Sequence, residues 1–424
     1  MNRRNFLSLA MAAAGTVAWP LELLAKKKTS LKKIKLVVIG GGIGGSTVIH
    51  SLLEAGAPFE ITLIEPNRKI STGPMSNLVA AGFRDLSSIT FDHAIFMKKG
   101  VSLVHDQVTA VDLVKKTVRT SARNFAYDYL VLTPGIDFYW GSIQGFGENI
   151  ASEFPNGWRP GPETSLIFEK LKALKPGGVV AMTSPPNPYR CPPGPYERAS
   201  LLAAYLKKAN PKAKILILDS KDSFPKQPLF EEAWKKHYPG MIEWVSKTKG
   251  GEIVELDKSN GALISSGKEK YKADFIQIIP AQKAKALAGF EFERVPWYPI
   301  VTERFVSKQS DSVFVFGDSA ALGETAKSAF SASAQGKFVA MSLLSIARDE
   351  GPLSTRTMIN VCYSKITPDL AISVNHHLEA TKDGWKMKKD STGYTALGQP
   401  DATYRKESEA ADLWYETFTK QVFG

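Results

Sequence analysis

The stretch that most restricts what this chain can become is IKLVVIGGGIGGSTVIHSLLEAG, residues 34–56. Leu36 to Ile39 form a short continuous apolar run, the pattern of a strand covered on both faces. Gly40, Gly42 and Gly45 then fall in G-x-G-x-x-G spacing, and Ile43 opens an apolar-periodic helix that Gly56 stops. A second strand, EITLIE, ends in Glu65 and is closed by Pro66. The spacing has a mechanical meaning. The first glycine makes the tight turn, the second lets backbone approach a pyrophosphate, and the third lets helix pack close on strand. The helix N-terminus then faces the phosphates, and the acid about 20 residues on accepts from a ribose hydroxyl. The segment therefore predicts a dinucleotide site for an adenosine with a free 2′-hydroxyl.

Two later segments decide which dinucleotide. FAYDYLVLTPG, residues 125–135, reads as a strand ending in a Thr133-Pro-Gly135 turn. SVFVFGDSA, residues 312–320, is another buried strand running into Gly317 and Asp318. Asp318 there is positioned for a ribityl hydroxyl, or as N-cap of a helix over SAALGETAKSAFSASAQGKFVAMSLL, and both roles can hold together. This late return to the first domain is typical of flavoproteins with two dinucleotide folds, which favours FAD over NAD.

The second fold is read from GGVVAMTSPPNPYRCPPGPYERASLLAAYLKKANPKAKILILDS: strand, loop, helix, strand. Where an NAD(P)H-dependent enzyme carries another glycine fingerprint, this loop carries prolines 185, 186, 188, 192, 193 and 195. Proline removes backbone donors and stiffens the chain, so the loop cannot cradle a second pyrophosphate. The electron donor is therefore expected not to be NAD(P)H.

That loop holds Cys191, one of two cysteines in 424 residues; the other is Cys362. A nearby helix start and the adjacent Arg190 predict a thiol shifted toward thiolate. The first residues, NRRNFLSLAMAAAGTVAW, place Arg3 and Arg4 before a short apolar run, the form of a twin-arginine export signal over residues 1–25. Cleavage is expected after Ala25, delivery to the periplasm, and no other segment is apolar enough to span a membrane. In an exported chain two cysteines are expected to pair. The pair is either a staple or a redox centre; a chain with a large core has little need of a staple. The formal net charge of +12 suits an acidic partner or anionic substrate. Without an arginine stripe, RNP-like aromatics or zinc-finger spacing, nucleic acid is not expected, and no metal-ligand cluster is apparent.

Taken together, SPPNPYRCPPGPYERAS, NVCYS, AKSAFSASAQGKFVA and the terminal FG resemble the flavoprotein subunit of flavocytochrome c sulfide dehydrogenases, and more distantly sulfide:quinone oxidoreductases and glutathione-reductase-type enzymes. The resemblance runs from Lys33 onward. It implies an α/β fold of two Rossmann-like domains plus a C-terminal α+β interface domain. The FAD-binding domain takes residues 33–160 and 285–354, the second Rossmann-like domain 161–284, and the interface domain 355–424. It implies a periplasmic FAD protein that oxidises hydrosulfide and passes electrons to a heme-bearing cytochrome c subunit. Cys191 and Cys362 map onto a redox disulfide beside the flavin. Glu197 matches an acid that handles the proton of hydrosulfide, although a surface helix acid would need no such role. Asn77 and Val108 join the flavin-contacting set, and Lys327 is placed to aim positive charge at the flavin's pyrimidine edge, or else is a solvated lysine. One departure stands out. The family links FAD covalently through a cysteine in a TCYLSN-like stretch, and this chain has Gly73 there, so its FAD is expected to be noncovalent. A quinone-reducing sulfide oxidase and a non-catalytic FAD electron-transfer subunit remain as alternatives.

Overall fold

The structure, a computed structural model, describes residues 33–292 and 295–424; the export-signal assignment over residues 1–25 lies outside them. Strand β1 (Ile34–Ile39) leads into helix α1 (Ile43–Glu54) and returns through β2 (Phe59–Ile64). The short helix α2 (Ser76–Ala80) follows, then β3 (Ser102–Val104) and β4 (Tyr129–Leu132). After helix α3 (Pro162–Lys172) the chain builds a second unit from β5 (Val179–Ser184), α4 (Gly194–Ala209), β6 (Lys214–Asp219), α5 (Gln227–His237), β7 (Ile242–Val245) and β8 (Phe275–Gln277). It comes back through β9 (Ile300–Val301), β10 (Val306–Ser307) and β11 (Ser310–Val315), followed by helix α6 (Ala329–Ala347). Strands β12 (Thr357–Thr367), β13 (Leu370–Thr381), β14 (Gly384–Met387) and β15 (Gly393–Tyr394) and helix α7 (Asp401–Phe423) end the chain.

The first sheet has the order β9-β10-β11-β4-β1-β2-β3. Its central strands are parallel, with Ile39 opposite Ile64 on one side and Leu132 on the other. Val315 of β11 also pairs in parallel with Leu132. Four strands thus stop at one edge, and Gly40, Glu65, Thr133 and Gly317 leave it side by side. Leu36, Val38, Leu130, Val131, Val313 and Val315 are wholly buried, each worth roughly 1.5–3 kcal/mol of transfer free energy. The late strand is held in the first sheet by this burial, although more than 150 residues of other structure separate it from β4. The second sheet, β7-β6-β5-β8, is parallel throughout.

The third sheet is antiparallel and centred on β13, with Cys362 opposite Val374 in the β12–β13 ladder. Strand β12 packs against α4 and α6, and α7 packs on β13 and α1. The terminal helix buries Tyr415, Phe418, Val422 and Phe423 against Val79 and Ile89 of the first domain. Among the described residues no helix is long and apolar enough to cross a membrane.

One expected element is shorter than its sequence suggests. Asp318 does not cap the helix that follows; it lies in a separate 3₁₀ turn, Gly317–Ser319. Helix α6 starts only at Ala329, where the Ser328 hydroxyl accepts from Ser331 N at 3.1 Å. The intervening chain packs on β14: Glu324 N donates to Trp385 O at 2.8 Å. Gly323 sits there at φ +64°, where a Cβ would come within 2.5 Å of the same carbonyl. That contact breaks the helix that composition alone favours.

Candidate functional site

At the edge where the strands stop lies a cavity of about 840 Å³, at the large end of the range for small-molecule sites. The fingerprint glycines differ in what surrounds them. A Cβ on Gly40, at φ +95°, would meet Thr133 O at 2.3 Å, and one on Gly45 would meet Gly40 O at 2.1 Å. A Cβ on Gly42 would meet nothing within 4 Å. The first and third glycines thus let strand, turn and helix touch, while the second leaves room before the N-terminus of α1. Glu65 closes one side: its carboxylate accepts from Gly41 N at 3.0 Å and from the backbone and side chain of Asn67 at 2.9 and 2.8 Å. Ile43, Pro66, Asn77, Val108, Thr133 and Gly135 line the same cavity; Gly45 lies behind it.

Asp318 supplies the test for a flavin. Its Oδ2 accepts from Arg190 Nε at 2.6 Å, whereas Oδ1 is buried without a partner. An orphaned acceptor in a cavity wall calls for a donor from a ligand, and a ribityl hydroxyl is such a donor. With Gly42's open space, Glu65 and the start of α6 also on the wall, the residues present fit FAD. Gly73 lines the cavity too, with no atom within 4 Å of a Cβ built there. Lys327 lines the cavity and is buried rather than solvated. Its Nζ donates to Asp318 O and Ala320 O at 2.8 and 2.9 Å and lies 3.6 Å from the centre of the Trp297 ring. Burial pulls its pKa down to about 7.

The thiols reach the cavity from separate units. Cys191, at φ +55°, is pinned by its backbone: its N donates to Lys327 O and its O accepts from Gly194 N, both at 2.8 Å. Cys362 arrives on β12. Both are free thiols in this structure, and they line the same cavity as Glu197. The expected thiolate character of Cys191 is not found. Burial raises its pKa well above the ordinary thiol value, with Cys362 and Glu197 adding to the rise. The neighbouring Arg190 is committed to Asp318, so its charge is already spent. Burial raises Cys362 as well, opposed by Lys226.

Glu197 is held by a directional chain. Arg198 can only donate, so Asn77 must turn Oδ1 toward Arg198 Nε (3.0 Å) and Nδ2 toward Glu197 Oε2 (2.7 Å). Lys365 N donates to the other carboxylate oxygen at 2.7 Å. Burial raises the Glu197 pKa; these two donors and the Lys226 and Lys365 charges oppose it. Arg198 itself is buried over the Trp158 ring at 4.7 Å, with its pKa drawn down by burial to about 10. Sequence reasoning passed over Arg198, Trp158, Lys226 and Lys365. Arg198 is the one with a visible signal, following Glu197 on an otherwise apolar helix face; the others depend on contacts across the fold.

The second Rossmann-like unit is closed where a nicotinamide nucleotide would lie. Asp219, the acid at the end of β6, is wholly buried and accepts from Tyr196 OH at 2.5 Å, Trp244 Nε1 at 2.9 Å and Lys221 Nζ at 2.6 Å. Tyr196 stacks on Phe224 with ring centres 3.7 Å apart. The proline loop offers few amides, and aromatic side chains fill the ribose side.

Comparison with known proteins agrees with this anatomy. Family models for the central and flavin-binding parts of the flavocytochrome c sulfide dehydrogenase flavoprotein chain match residues 164–280 and 354–423, and a pyridine nucleotide-disulphide oxidoreductase model matches 34–153. A mitochondrial sulfide:quinone oxidoreductase of Dictyostelium discoideum is 27% identical over 270 residues, covering 60% of this chain and 58% of that relative. The Mus musculus counterpart is 26% identical over 215 residues, covering 50% and 47%. The chain thus spans about half the length of these relatives. Among solved structures, the sulfide:quinone oxidoreductase of Aquifex aeolicus superposes with a TM-score of 0.71 over 92% of both chains at 16% identity, a likeness of fold. Beyond the dinucleotide region, two stretches of the chain are thus similar to the flavocytochrome c sulfide dehydrogenase flavoprotein chain, on the pyridine nucleotide-disulphide oxidoreductase fold.

Proposed function

We propose that this chain is the periplasmic, FAD-dependent sulfide-oxidising subunit of a sulfide dehydrogenase, exported by the twin-arginine pathway and passing electrons to a cytochrome c subunit. The observation that carries the reading is that the chain's two cysteines and Glu197 all line the cavity that fits FAD. In the oxidised enzyme Cys191 and Cys362 form a disulfide. Hydrosulfide attacks the Cys191 sulfur, a new S–S bond forms there, and the Cys191–Cys362 bond breaks. A persulfide is left on Cys191 and a thiolate on Cys362, with one negative charge before and after. Glu197, fixed by Asn77 and Lys365, takes the remaining S–H proton, and burial that raises its pKa suits it to that exchange. FAD, when bound, would supply the two-electron sink needed to restore the disulfide as zero-valent sulfur leaves. Glu65, Asp318 and the α1 N-terminus would hold it without a covalent link, since Gly73 offers no sulfur.

The test is a spectrum. Anaerobic sulfide should bleach the flavin of the wild type, while Cys191→Ser and Cys362→Ser keep their flavin and stay oxidised. Bleaching at the wild-type rate in either variant defeats the scheme. Acid precipitation should release all the flavin into solution. Sulfide-dependent reduction of a c-type cytochrome, against a soluble quinone analogue, separates the proposed acceptor from the acceptor named for the quinone-linked relatives.

A further inference from the structure

Lys226 combines three choices that a stable fold avoids. Its side chain is buried, with the residue only 3% exposed. Its backbone is left-handed, at φ +63°, where a side chain bearing a Cβ is strained. It also stands at the N-cap of α5 with no capping hydrogen bond from its side chain. Ser, Thr, Asp or Asn serves best there, and a cation faces the positive end of the helix dipole. Burying an ammonium normally calls for a carboxylate partner, and among the described residues no carboxylate lies within 4.0 Å of this one. Its Nζ donates instead to Cys362 O at 3.1 Å and Ser364 Oγ at 2.7 Å, both on β12. Several local penalties converging on one residue next to a reactive group point to a functional reason for keeping it.

We propose that Lys226 is the positioning residue of the thiol pair: its buried ammonium, anchored on the Cys362 carbonyl, holds negative charge at Cys362 rather than at Cys191. The inference rests on the disulfide reading above and deepens it. When hydrosulfide opens the disulfide, one sulfur must leave as thiolate, and exchange favours the sulfur whose anion is better stabilised. The charges facing Lys226 agree with that assignment. From β12 comes Cys362; from the loop before α4, Cys191; from α4, Glu197; from β13, His376; and from α7, Glu407. The Lys226 charge favours the anionic form of Cys362, Cys191, Glu197 and Glu407 and the neutral form of His376. Glu197 opposes ionisation of both thiols, whereas Asp318 opposes that of Cys191 alone, so the thiolate is better accommodated at Cys362. Lys226 thereby decides which sulfur carries the persulfide and which is released.

The experiment uses flavin-loaded full-length protein with its thiols reduced. Iodoacetamide labelling of each cysteine is followed by peptide mass spectrometry across pH 6–10. In the wild type, the labelling midpoint of Cys362 should lie below that of Cys191. In Lys226→Met the Cys362 midpoint should rise by about one pH unit, slowing its labelling about tenfold on the acid side, whereas Lys226→Arg should stay within about threefold of wild type. A merely structural lysine predicts lowered thermal stability in Lys226→Met with an unchanged Cys362 profile, and that outcome overturns the proposal. If Lys226→Met does not accumulate folded, the wild-type order decides alone, and a lower midpoint at Cys191 overturns it. None of these readouts requires sulfide. A wild type that fails to bleach with sulfide defeats the sulfide reading while leaving the order of the two midpoints to be judged by itself.

Discussion

Alanine at two glycines three residues apart should damage this protein in opposite ways. Gly42 has φ −67° and ψ −168°, a backbone any residue adopts, and a Cβ there meets nothing within 4 Å. Gly42→Ala should therefore leave the flavin-free fold intact. By restricting the unfolded chain it should add about 0.4–1 kcal/mol of stability. The added methyl instead occupies the approach to the α1 N-terminus, where a pyrophosphate must come within hydrogen-bonding distance of backbone amides. Holding the phosphates back by the depth of a methyl group should weaken FAD binding about 10- to 100-fold, or roughly 1.4–2.8 kcal/mol. At Gly45 the same methyl would lie 2.1 Å from Gly40 O and 3.0 Å from Val38 Cγ1. The first is backbone and cannot swing aside, so α1 must move off β1. Overpacking of this kind costs about 1–3 kcal/mol or more, and it should appear with or without flavin.

The assay pairs two measurements on each variant: the melting temperature of flavin-free protein by differential scanning fluorimetry, and FAD affinity by fluorescence quenching. Gly42→Ala should melt at or slightly above wild type and bind FAD poorly. Gly45→Ala should melt several degrees lower, since each kcal/mol is worth about 2–4 °C in domains of 150–250 residues. A Gly42→Ala protein that binds FAD as tightly as wild type would refute the assigned phosphate position. A Gly45→Ala protein that melts like wild type would refute the strand–helix contact as the reason for that glycine.

Two further outcomes follow from buried charge. NADH added anaerobically should leave the flavin spectrum unchanged, because Asp219 is already engaged by Tyr196, Trp244 and Lys221; bleaching by NADH would contradict the closed second cleft. Lys327 binds its proton more weakly in the fold, with a pKa lowered by burial to about 7 against 10.5 unfolded. Below pH 7 both states hold the proton, and above about 10.5 neither does. In between the unfolded state holds more of it, so stability should rise with pH. The urea midpoint of flavin-free wild type should climb from pH 7 to pH 9, and Lys327→Met should remove most of that climb; identical slopes would show that burial does not lower the Lys327 pKa.

The parts of this site legible in the sequence are those whose chemistry is local. The G-x-G-x-x-G turn, the acid at the end of β2 and the proline loop each carry their meaning within about 30 residues, and the return of SVFVFGD to the first sheet follows from its uninterrupted apolar run. What the sequence hid depends on partners brought from far away. Arg190 beside Cys191 reads as a thiolate-stabilising cation until β11 delivers Asp318 and takes that charge. Asp318 reads as a helix cap until Trp385 of β14 holds residues 323–324 out of the helix. Lys226 reads as one lysine among many until β12 lays the Cys362 carbonyl across it. In each case a charge is assigned by whichever strand arrives last, and neighbours in the chain do not decide it.

The same point explains why the thiols can be acidic in sequence and yet not in structure. Two buried sulfurs beside a carboxylate repel every form that carries more than one negative charge, so a dithiol there resists ionising. A disulfide carries no charge and suffers no such penalty, and its opening by an anion generates a single negative charge. Such a charge is tolerable only where a cation already stands. Around this pair the cations differ in availability: Arg190 is bound to Asp318, Arg198 is oriented by Asn77 and neighbouring carbonyls, and Lys365 is held by Asp412 and Ser408. Lys226 alone among these four is anchored on the backbone of one of the two cysteines, which is why the preference for charge at Cys362 should weaken when its charge is lost.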